Sequence, residues 1–248
     1  MNKQQFTKAI KLVKENSPKR KFAQSIELII NLKGLNLKNP DEAIDLWTEL
    51  PHQKGKPIKI AALVGPELEE QAKQNCDFYV LQDNFSQYAG DKKKIKKLAA
   101  EYDFFIAQAN LMADVAKTFG RYFGPRNKMP NPKAGCVVPP NANFAPLIEK
   151  LKKTVKVSAK TQPSIKLNIG TEQLADEQLA ENATAIYNNV LHALPQETNN
   201  IRSVLIKLTM GSPVQITDKE IISKQSAARS SQSEVESKKQ IHTKSEEQ

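Results

Sequence analysis

The chain has few of the residues on which several classes of protein depend. Its 248 residues include two cysteines, three histidines and one tryptophan. Cys76 and Cys136 stand far apart with no second thiol near either, which argues against a disulfide framework and a zinc ribbon. The histidines are equally scattered. We therefore predict no metal site and no catalytic relay built on cysteine and histidine.

Long apolar runs are also lacking. No stretch approaches the ~20 apolar residues that cross a bilayer, and the first residues, MNKQQFTKAIKLV, contain no signal-peptide core. We expect a cytoplasmic protein that has no membrane partner.

Glycine is scarce where a nucleotide would need it. The turn after the first buried strand of the middle segment reads LVGPELEE, with one glycine, a proline and then acids that would repel a phosphate. The sequence contains no P-loop and no nucleophile elbow, so we predict no cofactor and no enzymatic activity. A nucleotide-dependent enzyme stays open as a rival, and saturable binding of NAD or ATP would favour it.

Positive charge is abundant. The 37 Lys and Arg exceed the 27 Asp and Glu, giving a net charge of +10, and most of the excess falls between residues 53 and 155. Such a balance favours a polyanionic partner. A general nucleic-acid chaperone would fit it too, and would bind unrelated RNAs equally with a steep salt dependence.

The stretch RYFGPRNKMPNPKAG, residues 121–135, holds three prolines, two glycines, four cations and no acid. Proline removes a backbone donor and disfavours helix before it, so the stretch is predicted to be a loop. The hypothesis is that Arg126, Lys128 and Lys133 contact RNA phosphates, and the alternative is a simple connection between elements.

Hydrophobic periodicity divides the chain. Residues 2–16 have helical spacing. KFAQSIELIINL, residues 21–32, is predicted to be a strand whose polar side carries Ser25, Glu27 and Asn31 and whose apolar side carries Phe22, Ile26, Leu28, Ile30 and Leu32. Short apolar runs alternate with helices in the middle, which indicates a parallel α/β domain at 53–155. Half-exposed strands return near both ends. We predict a discontinuous α+β domain from 1–52 plus 156–222, with a disordered polar tail at 223–248.

Several motifs in order, among them KRKFAQSIELIINL, GRYFGPRNKMPNPKAG, NIGTEQ and VLIKLTMGSP, resemble the L-one family of large-subunit ribosomal proteins, in its archaeal branch. The resemblance covers about residues 1–217. It implies a discontinuous α+β domain that carries an inserted Rossmann-like domain without a nucleotide, and no enzymatic activity. It also implies a chain that is monomeric when free and that works on the cytoplasmic ribosome.

The partners that the resemblance implies are RNAs. Family members bind large-subunit rRNA through the discontinuous domain, in a mobile side stalk that moves with the departing exit-site tRNA. Many also bind a mimic of the rRNA site in their own messenger RNA and repress its translation. Transferred by position, the implied rRNA surface comprises Lys21, Phe22, Ser25, Glu27, Lys166, Gly170, Thr171, Thr209, Met210, Gly211 and Ser212. From their charge and the position of the stalk that the resemblance implies, we expect Arg126, Lys128 and Lys133 to contact the tRNA elbow or nearby rRNA.

This rRNA surface lies on the less basic of the two predicted domains. A surface of low net charge can still recognise a folded RNA through the shape of the RNA and its 2′-hydroxyls. Serine, threonine, glycine and a flat aromatic ring are suited to such recognition. Three positions depart from the family pattern. Gln53 and Asn127 occupy positions where glycine is common in the family. Ser212 precedes a proline, whereas in the family the proline usually precedes the serine. Asparagine tolerates positive φ, so the turn at Asn127 should survive.

Overall fold

The fold was examined in a computed structural model. It describes residues 1–18, 20–37, 39 and 42–217, together with the backbone of residues 221–223. Apart from the backbone of Ser223, the predicted tail lies outside the described residues.

The helices and strands of the described residues are as follows. The helices are α1 Lys3–Glu15, α2 Glu69–Asn75, α3 Phe85–Gly90, α4 Lys92–Glu101, α5 Met112–Phe123, α6 Phe144–Lys153 and α7 Asp176–Ala193. The strands are β1 Ser25–Leu32, β2 Ile44–Glu49, β3 Ile60–Val64, β4 Phe78–Leu81, β5 Phe104–Gln108, β6 Val137–Val138, β7 Thr154–Ala159, β8 Ser164–Thr171, β9 Ile201–Leu208, β10 Val214–Ile216 and β11 Ile221–Ser223. Short 3₁₀ helices occupy Pro66–Leu68, Gln82–Asn84, Ala109–Leu111, Pro132–Ala134 and Glu197–Asn200.

Contacts divide the chain into two compact units. The terminal unit contains Met1–Gly55 and the chain from Lys156 onward, and the inserted unit contains Lys56–Val155. In the terminal unit, an antiparallel five-stranded sheet has the order β11-β10-β9-β1-β8, and β2 pairs with β7 in a second sheet. Strand β1 therefore lies between two strands from the far end of the sequence. The predicted fold class, a discontinuous α+β domain with an inserted parallel α/β domain, is confirmed.

The alternation in β1 produces one buried and one open sheet face. Ile26, Leu28 and Ile30 are fully buried, on the face covered by α1 and α7. Each such side chain contributes roughly 1.5–3 kcal/mol on leaving water. On the open face, Glu27 forms an ion pair with Lys207 at 3.3 Å, and the neighbouring Ile29 and Leu205 are half-buried.

The prediction that Phe22 shares the buried face of β1 is wrong. The strand begins only at Ser25, and the side chain of Phe22 is 55% exposed. Residues 21–24 are not paired as a strand. The alternation of apolar and polar residues in the sequence therefore extends beyond the part of the chain that forms β1. The exposed ring is therefore accessible to a binding partner.

The inserted unit is built on a parallel sheet with the order β4-β3-β5-β6. Every residue of β3 is buried, as expected for a strand covered on both faces. Helices α2 and α6 contact each other, and α5 contacts both α3 and α4. Asp91 caps α4, because its carboxylate accepts hydrogen bonds from the amides of Lys93 and Lys94.

The crevice at which Rossmann-like sheets bind ligands is filled in this unit. Such crevices lie at the carboxyl ends of the strands where strand order reverses, here between β3 and β5. Gln108, which is 4% exposed, accepts a hydrogen bond from the Gly65 amide at 3.0 Å and donates one to Glu67 at 3.1 Å. The amide that would meet a phosphate is therefore already bonded inside the protein.

The sequence patterns missed two features. The sequence NFAPLIEKLKKTV, residues 143–155, predicts a helix that runs to Val155, but α6 ends at Lys153 and the chain turns directly into β7. The hydroxyl of Thr154 donates to the Lys150 carbonyl at 2.8 Å, which satisfies a terminal helix carbonyl. The loop predicted from residue 121 begins only after Phe123, where α5 ends.

Candidate nucleic-acid interface

Sheet topology brings three distant segments to one edge of the terminal unit. Strand β1 starts at Ser25, and its antiparallel neighbours β8 and β9 end beside it. Ser25 lies opposite Thr171, and Ile26 lies opposite both Gly170 and Leu208. We call residues 20–25, 170–172 and 209–212 the strand-end edge. It unites most of the rRNA-binding residues that the family resemblance implies.

Gln24 joins the three segments. This buried side chain donates to the Pro18 carbonyl at 3.2 Å and accepts from the Met210 amide at 3.3 Å. Its own carbonyl accepts from the Glu172 amide at 2.9 Å. A buried amide that loses such partners costs about 1–3 kcal/mol, so these bonds fix the edge. Sequence reasoning missed Gln24, because a polar residue just before a strand carries no periodic signal.

The turn after β9 is held tightly. The amide and hydroxyl of Thr209 both donate to the Ser25 carbonyl, at 3.0 and 3.1 Å. The amide of Gly211 donates to the Leu208 carbonyl at 2.9 Å. A Cβ atom on Gly211 would lie 2.3 Å from Ser17 Oγ, so glycine is needed here for close packing. The exposed Met210 between them is presented on a fixed backbone.

The strand-end edge exposes unusual apolar surface. Among the described residues, Phe22 at 55% and Met210 at 56% are the two large hydrophobic side chains that are exposed. Both lie on this edge, and Lys21, Thr209 and Ser212 beside them are also exposed. Apolar groups rimmed by polar ones mark interaction sites on protein surfaces.

Four other residues of the implied rRNA surface have different surroundings. Glu27 and Lys166 lie on the open sheet face next to the edge, with Lys166 exposed. Gly170 and Thr171 are buried, and a Cβ atom on Gly170 would lie 2.6 Å from Leu179 Cδ2. The structure gives Gly170 and Thr171 a role in packing β8 rather than a place on the open surface, which differs from the expectation.

The basic loop of the inserted unit is anchored to α4. Arg126 donates to the Lys96 carbonyl at 2.9 Å, and Lys128 donates to the Tyr102 carbonyl at 2.6 Å. Tyr102 follows the last residue of α4, where a cation complements the helix dipole, so Lys128 has a structural role. Arg126 contacts the middle of α4 and is exposed. Lys133 is exposed. Asn127 adopts φ 55°, the left-handed conformation that was expected to survive replacement of glycine.

Comparison with known proteins decides the family. The model of the ribosomal protein L1p/L10e family matches residues 12–212. The chain belongs to this family. It is 40% identical over 216 residues to large ribosomal subunit protein uL1 of Pyrococcus horikoshii, which covers 87% of the chain and 96% of the relative. It is 41% identical to the uL1 of Methanothermococcus thermolithotrophicus, over 87% of the chain and 99% of the relative.

A third archaeal relative is similar over a slightly shorter stretch. The uL1 of Nanoarchaeum equitans is 42% identical over 202 residues, covering 80% of the chain and 93% of the relative. The resemblance stated from the motifs is thereby confirmed, including its archaeal character.

The L1p/L10e family consists of structural ribosomal proteins, so the prediction that the chain is not an enzyme is confirmed. Burial raises the pKa of the Cys76 and Cys136 thiols to about 11, which keeps both protonated and unreactive at neutral pH. Among the described residues, no cluster of three potential metal ligands occurs, and no helix is long and apolar enough to span a membrane.

Proposed function

We propose that the chain is a structural component of the large ribosomal subunit and that its strand-end edge binds large-subunit rRNA. The observation that carries the proposal is the coincidence of the exposed Phe22 and Met210 with the meeting point of three strand ends. Membership of the L1p/L10e family, with relatives named large ribosomal subunit protein, supports the same partner.

The chemistry of the edge suits a folded RNA. The ring of Phe22 offers a stacking surface for a base. The Thr209 hydroxyl, which donates to the Ser25 carbonyl, can accept from a 2′-hydroxyl group, and the Ser212 hydroxyl suits a 2′-hydroxyl group or a phosphate oxygen. The fixed backbone of the turn after β9 allows the RNA to approach closely at Gly211. Because Glu27 already neutralises Lys207 at 3.3 Å, that pair adds no net charge to the neighbouring sheet face. Lys166 adds an exposed positive charge there, and shape supplies the rest of the recognition.

A titration at several salt concentrations tests this partner. We expect the chain to bind large-subunit rRNA at least about a thousandfold more tightly than small-subunit rRNA at physiological salt, as specific nucleic-acid complexes do. Equal affinity for both RNAs, with a steep salt dependence for each, would instead identify a general chaperone and contradict the proposal.

We further propose that the inserted unit contacts the departing exit-site tRNA through the basic loop, residues 124–135, with the exposed Arg126 and Lys133 and the half-buried Lys128 as its cations. Reversal of all three charges should lower exit-site tRNA occupancy on reconstituted ribosomes, because phosphate contacts depend on cations. The matched control reverses the exposed Lys73, Lys150 and Lys152 of α2 and α6. Unchanged occupancy with the loop variant folded would leave the loop as a connector.

Repression of its own messenger RNA is the third part of the proposal. A messenger segment that copies the rRNA site would bind the same strand-end edge, since the edge reads shape rather than ribosomal context. Its binding and that of rRNA would then be mutually exclusive, which a competition titration measures directly.

A further inference from the structure

A cavity of about 330 Å³ opens beside the strand-end edge. It is lined by Lys14, Ser17 and Pro18 at the end of α1, by Arg20 and Gln24 before β1, and by Glu172 and Leu208 after or within the neighbouring strands. Its size is at the lower end of the ~300–1,000 Å³ typical of small-molecule sites. One nucleotide has a suitable size, and a helical segment of RNA does not.

The cavity wall is chemically divided. Pro18 and Leu208 give it an apolar side, and Glu172 and Arg20 bring opposite charges to it. Lys14 is already committed, because its ammonium group bonds Asp176 at 2.6 Å and the Leu174 carbonyl at 3.2 Å. The groups left to recognise a ligand are an exposed guanidinium, a half-buried carboxylate and the buried Ser17 hydroxyl, which has no hydrogen-bond partner among the described residues.

This combination does not suit a phosphate ion alone, because the carboxylate of Glu172 would repel it. It suits a nucleotide whose base carries hydrogen-bond donors and whose phosphate reaches Arg20. A carboxylate accepts two parallel hydrogen bonds, and guanine presents two adjacent donors, the N1–H and the exocyclic amine. Adenine and cytosine present one amino group next to an acceptor, and uracil presents one imino donor between acceptors.

We propose that this cavity receives one unpaired guanine nucleotide of the bound RNA, with Glu172 accepting from the base and Arg20 facing the phosphate. The inference rests on the proposed function, since it names a subsite next to the rRNA-binding edge. Unstacked bases of folded RNA are commonly inserted into such sites and read along their Watson–Crick edge. Gln24, which lines the cavity, also holds Met210 in place, so the subsite and the edge share one framework.

The test uses the full chain with guanosine, adenosine, cytidine and uridine 5′-monophosphates, followed by amide chemical shifts. We expect saturable shifts at Arg20 and Glu172 with GMP, and an affinity about tenfold higher than for the other three nucleotides. The Glu172→Gln variant should lose this preference, because an amide offers only one acceptor. Glu49→Gln, at an exposed position of β2, should retain it. Arg20→Gln should lower the affinity for all four nucleotides to a similar extent.

A second arm separates the cavity from the edge. In an rRNA titration, Glu172→Gln should lower the affinity about tenfold, and Glu49→Gln should leave it unchanged. If wild-type chain binds rRNA but Glu172→Gln has no effect, the subsite is refuted and the rRNA-binding function stands. Tight GMP binding without any effect on rRNA would likewise overturn the RNA assignment in favour of a free nucleotide. If rRNA does not bind at all, both proposals fail.

Discussion

Met210→Asp should lower the affinity for large-subunit rRNA by about thirtyfold or more, the loss typical of a central contact residue. The substitution removes an apolar side chain that is 56% exposed and places a negative charge where RNA phosphates approach. Because more than half of the side chain is exposed, the melting temperature should stay close to that of the wild type. A binding titration beside a thermal melt measures both quantities.

Two variants sharpen this experiment. Gln162→Asp adds the same charge at an exposed position in the turn before β8, at the opposite end of the same sheet, and should leave rRNA affinity nearly unchanged. Met210→Leu keeps an apolar side chain and should retain most of the affinity. Gly211→Val is a poorer test, because a Cβ atom there meets Ser17 Oγ at 2.3 Å and disturbs the end of α1. An unaltered affinity for Met210→Asp would contradict the assignment of the edge.

Asn182→Asp should destabilise the terminal unit by about 3–5 kcal/mol at neutral pH, as an uncompensated buried charge does. Asn182 is fully buried. Its carbonyl oxygen accepts from the His52 amide at 3.0 Å, and its amide donates to the carbonyls of His52 and Ile169 at 3.1 and 2.9 Å. An isosteric carboxylate would keep the first bond and turn the other two into contacts between oxygens.

The pH dependence identifies this mechanism. Burial and two facing carbonyls raise the pKa of the introduced carboxyl in the folded state above its unfolded value. The penalty is therefore complete above the folded-state pKa, and it declines as the pH falls through that value toward the unfolded one. Denaturant unfolding at neutral and acidic pH should show this recovery relative to wild type. Asn189→Asp, at an exposed position of the same helix, should show neither effect.

Asn182 also matters for how the chain leaves the terminal unit. Its two bonds to the backbone of His52 fix the segment that runs on to Gly55, where this unit ends. Glu181 adds a bond to the His52 ring and an ion pair with Lys3 at 2.7 Å. The hydrogen bond from Lys3 and then that with His52 lower the pKa of the Glu181 carboxyl. Gln53, which departs from the family pattern, therefore follows a firmly anchored residue.

Periodicity predicted the parts of the fold that burial determines. The alternation of Ile26, Leu28 and Ile30 marks a strand with one covered face, and the continuous apolar run of β3 marks a strand covered on both. The start of β7 at Thr154 was not predicted, because in the sequence Thr154 and Val155 continue the helical spacing of α6. The α-helix stops there because the backbone joins β2 in a sheet, a partner that lies more than one hundred residues away.

The candidate site was predictable only in part. Family motifs pointed to Phe22 and Met210, and both are exposed on one edge. Motifs cannot separate a contact residue from a packing residue, so Gly170 was assigned to the surface although it packs against Leu179. Gln24 and the cavity beside it depend on three segments that meet only in the folded sheet, and no local pattern encodes such a meeting.

Hydrogen–deuterium exchange of the full chain with and without large-subunit rRNA tests the central claim most directly. Bound RNA should slow exchange at residues 20–25 and 209–212, and Met210→Asp should abolish this protection at the same RNA concentration. Protection confined to the inserted unit, with residues 209–212 exchanging at the free rate, would contradict it.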